Sequence, residues 1–118
     1  MFIKLLKSKL HSAAVTETKL NYPGSLAIDA ELMGKAGILQ YESVIIADLN
    51  NGNRLETYAI PAPAGSGEIV VLGAAARLIN PKDRVIIFTF GFFTEDQARS
   101  HKPTILSLDE NNKIVKII

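Results

Sequence analysis

The chain consists of short apolar runs separated by turn-forming residues, and this pattern limits it to a mostly β architecture. The runs VIIA at 44–47, RVIIFTF at 84–90 and PTILSLD at 103–109 are rich in β-branched and aromatic residues. NNGN at 50–53 and ENN at 110–112 are typical of turns. Many short strands at this spacing predict one domain, residues 1–118, folded as a closed β-barrel.

The same pattern predicts where the elements lie. Asp29 is a good helix N-cap and Gly37 a good stop, so AELMGKA between them is predicted as a short helix. GAAAR at 73–77 and TEDQAR at 94–99 are each expected to form a helical turn. Strands are predicted at 10–16, 25–28, 43–49, 54–60, 69–72, 84–90, 103–109 and 113–118.

Composition excludes several classes of function. Thirteen Lys and Arg balance twelve Asp and Glu, so the net charge of +1 predicts no binding to nucleic acid or membranes. The chain has no cysteine and two histidines, which disfavours a metal site. Lysines at 4, 7 and 9 interrupt the apolar N-terminus, and no run is long enough for a membrane span, so a cytoplasmic protein is expected.

Tyr22-Pro23-Gly24-Ser25 has the sequence of a tight turn. Proline suits the second position of a type II turn, and glycine accepts the positive φ of the third position. Taken alone, these four residues predict an ordinary turn.

Other polar residues are paired by strand alternation. Lys9 and His11 are two residues apart and should share one face, either as a solvated strand edge or as a cationic wall for an anion. Arg54 and Tyr58 should share a face of the next predicted hairpin, with Thr57 on the opposite face. The backbone N–H groups at the start of GAAAR could hold an anion or carboxylate.

These pieces become specific when taken together. KLH at 9–11, Y-x-G-S-x-x-I-D at 22–29, NNG-x-R-x-x-TY-x-I at 50–60 and GAAAR at 73–77 occur in one order and spacing. With them, the chain resembles the aspartate 1-decarboxylase family from its first residues to about Pro103.

The resemblance implies a double-psi β-barrel, assembled as a homotetramer with active sites between adjacent subunits. It also implies autocatalytic cleavage at Gly24–Ser25, assisted by Thr57, into chains 1–24 and 25–118. Ser25 would become a pyruvoyl group, and neither a metal nor PLP would be needed. That group would form a Schiff base with L-aspartate and release CO2 and β-alanine for pantothenate and coenzyme A synthesis.

The resemblance also implies roles in substrate binding. Tyr58 would be the proton donor, and His11 a pocket wall or hydrogen-bond donor. Because pairing the α-carboxylate would stabilise the ground state that must lose CO2, we expect Arg54, aided by Lys9, to bind the side-chain carboxylate instead. The remaining substrate contacts would be Thr57 and the backbone groups of Gly73, Ala74 and Ala75.

One position departs from the family. Asparagine usually precedes GAAA, whereas this chain has Leu72, whose side chain cannot donate a hydrogen bond. The alternative is therefore an unprocessed, inactive barrel that serves as a structural or binding protein. Selectivity for aspartate over glutamate and the need for a maturation partner stay open.

Overall fold

The computed structural model describes all residues, 1–118, as nine strands, two α-helices and one 3-10 helix. The strands are β1 (Phe2–Ala14), β2 (Glu17–Lys19), β3 (Leu26–Asp29), β4 (Ser43–Asp48), β5 (Arg54–Ala62), β6 (Ile69–Leu72), β7 (Arg84–Thr94), β8 (Thr104–Leu108) and β9 (Ile114–Ile117). The helices are α1 (Ala30–Ala36), α2 (Glu95–Ser100) and the 3-10 helix Gly73–Arg77. The predicted mostly β content and the three short helices are confirmed.

Both α-helices begin at the caps that their sequences provide. The Asp29 carboxylate accepts a hydrogen bond from the Glu31 N–H at 2.9 Å, and Gly37 ends α1 with φ +74°. Thr94 and Gln97 form a reciprocal capping box at the start of α2. No helix is long and apolar enough to cross a membrane.

β1 is the strand whose start the sequence predicts least well. It begins at Phe2 rather than at residue 10, because its first residues pair with the far end of β7. The lysines that interrupt the apolar pattern are accommodated at a half-exposed strand: Lys4 lies 5.1 Å from the Phe90 ring centroid and Lys7 pairs with Glu42 at 2.8 Å. β5 and β7 also extend beyond their predicted ends.

The nine strands form one mixed sheet in the order β2-β6-β3-β5-β4-β7-β1-β8-β9. β2 lies at one end of this order and β1 near the other, yet only Val15 and Thr16 separate them in sequence. The Val15 N–H donates to the Asp83 carbonyl and the Thr16 N–H to the Ile69 carbonyl, each at 2.9 Å. The chain therefore closes the sheet on itself, in agreement with the expected double-psi β-barrel.

The interior of the barrel is filled by alternate residues of the strands. In β4, for example, Val44 and Ile46 are fully buried while Ile45 and Ala47 are only partly covered. Each fully buried isoleucine or leucine contributes about 1.5–3 kcal/mol. The largest of these side chains are Leu10, Leu26, Ile28, Ile46, Ile69, Ile79, Ile87 and Leu106.

Asn112 connects the last hairpin to the end of β1. Its buried side chain accepts from the Ala14 N–H at 2.7 Å and donates to the carbonyls of Ala14 and Gly67 at 2.8 and 2.7 Å. Its φ of +59° is one that asparagine tolerates better than most residues. The three bonds satisfy backbone groups that the barrel leaves unpaired.

Asp48, at the end of β4, is a buried carboxyl group that faces another carboxyl group. Its Oδ1 accepts from the Asn50 N–H at 2.8 Å, while its Oδ2 is buried without a donor. Burial raises the pKa of Asp48, and so does the neighbouring Asp83 carboxyl group. Because the pKa of Asp48 is raised in the folded state, the contribution of this group to the free energy of unfolding is fully present below the pKa of a free aspartate. That contribution declines as the pH rises through the pKa of the folded state.

We therefore expect Asp83→Asn to stabilise the protein at neutral pH. The amide can donate to the ionised Asp48 while its oxygen keeps the bond from the Asn80 N–H. A gain of about 1–2 kcal/mol is expected at about pH 7, shrinking as the pH falls toward 4. Thermal unfolding across this pH range tests it, with the exposed Asp96→Asn as control; an unchanged pH profile would contradict the effect of Asp83 on the Asp48 carboxyl group.

Candidate active site

The segment Tyr22–Ser25 does not form the predicted type II turn. Gly24 has a positive φ as expected, but its value of +131° is far from the roughly +80° of that turn. The Ser25 N–H also makes no backbone hydrogen bond to the Tyr22 carbonyl. The reason is packing, because the backbone at Gly73 lies against Tyr22 and Gly24.

Ser25 is buried in a strained conformation. Only 3% of its surface is exposed, and its φ of +96° is rare for a residue with a side chain. Such a conformation costs about 1–3 kcal/mol and persists only where the surroundings impose it. Here the Ser25 carbonyl accepts from the Leu72 N–H at 3.1 Å, and β3 begins at the next residue.

Thr57 lies beside Gly24. β3 and β5 are parallel, with Leu26 opposite Ala59, so the register brings Gly24 level with Thr57. Both residues line a cavity of about 330 Å³. The other residues lining this cavity are Pro23, Leu55, Glu56, Leu72, Ala74, Ala75 and Leu78.

Leu72 contributes its backbone and its side chain in different ways. Its N–H bonds Ser25, whereas its buried side chain packs with Ala27 and Val70 and lines the cavity. Thr57 is therefore the only side chain in this cavity that can donate a hydrogen bond. The structure thus provides no side-chain amide where the family usually has one.

Lys9 and Arg54 meet in a second cavity of about 380 Å³. Neither cation has a carboxylate partner, since the salt bridges involve Lys7, Lys19, Lys35 and Arg99. The Arg54 guanidinium lies 4.7 Å from the Phe88 ring centroid, which fixes its position by a cation–π contact. The rest of the lining is apolar: Leu6, Ala47, Ile86, Phe88 and Phe90.

Tyr58 and His11 lie in neither cavity. Tyr58 is 39% exposed and its ring centroid is 6.3 Å from that of Tyr41. His11 pairs with Ser107 of β8, and its buried Nδ1 has no hydrogen-bond partner. The fold of one chain therefore does not bring these two predicted site residues together with the others.

The predicted site residues are divided between the two faces of β5. Arg54 and Tyr58 are exposed on one face, and Thr57 is half-buried on the other, as alternation predicts. Gly24 and Thr57 therefore lie in one cavity, and Lys9 and Arg54 in another. A single chain does not gather them into one site.

Two contacts at these cavities have little or no signal in the sequence. The first is the contact of Arg54 with Phe88, because the sequence predicts Phe88 only as a strand residue that shares a face with Phe90. The approach of Gly73 to Gly24 joins residues far apart in sequence, and no local pattern reports it. Among the described residues, no group of three or more His, Cys, Asp or Glu side chains could hold a metal ion.

Comparison with known proteins identifies the family of the chain. A model of the aspartate decarboxylase family matches residues 1–115, which extends the resemblance beyond Pro103. Aspartate 1-decarboxylase of Moorella thermoacetica is 53% identical over 113 residues, covering 96% of this chain and 88% of the relative. Aspartate 1-decarboxylase of Clostridium kluyveri is 50% identical over 117 residues, covering 99% and 92%. The chain is therefore a member of the aspartate decarboxylase family.

Proposed function

We propose that the protein decarboxylates L-aspartate to β-alanine and CO2, using a pyruvoyl group that it makes from its own Ser25. Family membership and relatives named aspartate 1-decarboxylase support a carboxy-lyase acting on aspartate. The observation that carries the self-processing is the buried Ser25 at φ +96°, directly after Gly24, which lines a cavity with Thr57. The product would feed pantothenate and coenzyme A synthesis in the cytoplasm.

The residues of the segment Tyr22–Ser25 suit self-cleavage. Gly24 has no side chain to shield its carbonyl carbon, so the Ser25 hydroxyl can attack it and move the acyl group from nitrogen to oxygen. Thr57, as the donor in the cavity, would hydrogen-bond the Gly24 carbonyl oxygen as negative charge develops there. Loss of the Ser25 α-proton then expels the Gly24 carboxylate, and hydrolysis of the resulting dehydroalanine releases ammonia.

The surroundings of Ser25 fit a pyruvoyl group. When present, that group would supply a ketone that condenses with the substrate amine and an electron sink for the bonding pair left behind when CO2 departs. Leu72 keeps its N–H on the carbonyl of residue 25, so the adjoining amide stays oriented. The small residues Ala74 and Ala75 line the cavity beside Gly24, where their backbone groups would contact the substrate.

Lys9 and Arg54 are the proposed site for the side-chain carboxylate of aspartate. Both are cations without carboxylate partners in a mostly apolar cavity, where a charge-assisted hydrogen bond is strong. Arg54 is held over Phe88, so its donors are already oriented. The α-carboxylate is left without a cation, which favours its loss as CO2.

A complete site would require two subunits. The cleavage segment and the Lys9–Arg54 cavity lie on different faces of β5. In a complete site, a neighbouring chain would therefore place its own Lys9 and Arg54 next to the cleavage segment of the first chain. Large apolar side chains such as Phe2, Tyr41 and Phe92 are exposed and would be covered in a homotetramer. Tyr58, as proton donor, and His11, as a wall, would join the site in that assembly.

The second candidate function is an unprocessed barrel that binds but does not decarboxylate. The observation that favours it is the apolar Leu72 side chain in the cavity beside Gly24, which leaves Thr57 as the only side-chain donor. Loss of one donor at a developing oxyanion commonly costs about 2.7–4 kcal/mol of transition-state stabilisation.

An intact-mass spectrum of the denatured protein separates the two candidates. We expect two fragments divided at Gly24–Ser25, with the larger fragment lighter by one ammonia than a chain that begins with serine. β-Alanine release from L-aspartate, with L-glutamate as the competing substrate, would then establish the activity. A single species that stays uncut on warm incubation would favour the unprocessed barrel.

We expect Leu72→Asn to accelerate self-cleavage at least tenfold, because it adds an amide donor to the cavity beside Gly24. The thermal midpoint should fall, since a buried leucine is lost. The fraction cleaved against time is the measurement. Leu78→Asn places the same amide elsewhere in the same cavity and should leave the rate unchanged; equal rates for Leu72→Asn and wild type would contradict the prediction.

Arg54→Ala should raise KM for aspartate about ten- to a hundredfold with a smaller effect on kcat, because a hydrogen-bonded charge pair is lost. Steady-state kinetics on fully cleaved protein tests this. Arg99→Ala, an exposed arginine paired with Glu95, is the control. A fall in kcat at unchanged KM would show that Arg54 does not bind the side-chain carboxylate.

A further inference from the structure

Gly73 makes an unusually close backbone contact. A Cβ atom placed on it would lie 2.7 Å from the Gly24 Cα and 2.8 Å from both the Gly24 nitrogen and the Tyr22 oxygen. All three are backbone atoms, so none can rotate away as a side chain could. The start of the 3-10 helix therefore touches the segment that precedes Ser25.

This contact is distinct from the conformational freedom of glycine. Gly52 has the same φ of +78°, yet a Cβ there would meet nothing within 4 Å. At position 52, glycine is therefore favoured only because φ is positive. At position 73, glycine is favoured for the same reason and also because a side chain would clash with the backbone of Tyr22 and Gly24. The pair offers a matched comparison within one chain.

Gly73 and the preceding residue hold the two sides of the Gly24–Ser25 bond. Leu72 donates its N–H to the Ser25 carbonyl, and Gly73 abuts the Cα and nitrogen of Gly24. Both continue the antiparallel pairing of β6 with β3, in which Val71 lies opposite Leu26. On the opposite edge of β6, Leu72 also pairs with Lys19 of β2, so its position is fixed from both sides.

We propose that Gly73 is a positioning residue for self-cleavage, acting as a steric stop that keeps Gly24 and Ser25 at positive φ. The inference rests on the proposed function, because it concerns the same scissile bond. In the step concerned, the Gly24 carbonyl carbon forms a bond to the Ser25 oxygen, its bond to the Ser25 nitrogen breaks, and the hydroxyl proton ends on that nitrogen. The strain at Ser25 is released when that C–N bond breaks.

Gly73→Ala tests the stop. We expect its cleavage rate to fall at least tenfold, because the new methyl group must displace the Gly24 backbone. Gly52→Ala imposes the same φ on alanine without a clash, and should cleave at the wild-type rate. The readout is the cleaved fraction against time by intact mass, starting from freshly purified uncut protein, with Ser25→Ala as the uncleavable reference.

A second variant, which adds no atoms, keeps the test valid if Gly73→Ala does not fold. Ala74→Gly loosens the backbone next to the stop and should slow cleavage several-fold, whereas Ala76→Gly, further along the same 3-10 helix, should not. Thermal midpoints for each pair separate a general loss of stability from a specific loss of cleavage.

The outcomes distinguish the two proposals. Slow cleavage confined to Gly73→Ala and Ala74→Gly would support the stop. Cleavage of these variants at the rate of their controls, in a chain whose wild type cleaves, would overturn the stop alone. A wild-type chain that never cleaves would overturn the proposed function and this inference with it.

Discussion

The two-sided pairing of β3 is the constraint on which the rest of the site depends. Leu26–Asp29 is hydrogen-bonded to β5 on one side and to β6 on the other, and all four residues are buried. The strand begins directly after Ser25, so Thr57 on β5 and Leu72 on β6 are placed by register rather than by flexible loops. Asp29 then caps α1 and accepts from Gly65 and Gly67, which fixes the other end.

Much of the fold follows from local sequence signals. The bounds of α1, β4 and β6 could be predicted because a cap, a stop or a turn residue lies at or near each end. The start of β1 could not, because the lysines at 4 and 7 look like interruptions until the pairing with β7 and the partner Glu42 are known. Local sequence thus predicts that a helix or strand is present, whereas long-range pairing determines how long a strand is.

Strand alternation predicts which of the candidate side chains share a face, but not the geometry of the segment around Gly24. Alternation correctly separates Thr57 from Arg54, and the cavities agree with it. The turn at Pro23–Gly24 was predicted wrongly, because the contact that deforms it comes from Gly73, which is distant in sequence. A pattern confined to a few neighbouring residues contains no information about such a contact.

The position of Gly24 between strands has a consequence for the integrity of the barrel. No ladder hydrogen bond would be lost on cutting after it, and residues 1–24 would stay paired through β1 with β7 and β8 and through β2 with β6. Leu10, Ala13 and Val15 would remain in the core. The mature protein would then be a non-covalent complex of two interwoven chains, whose unfolding is also a dissociation and depends on protein concentration.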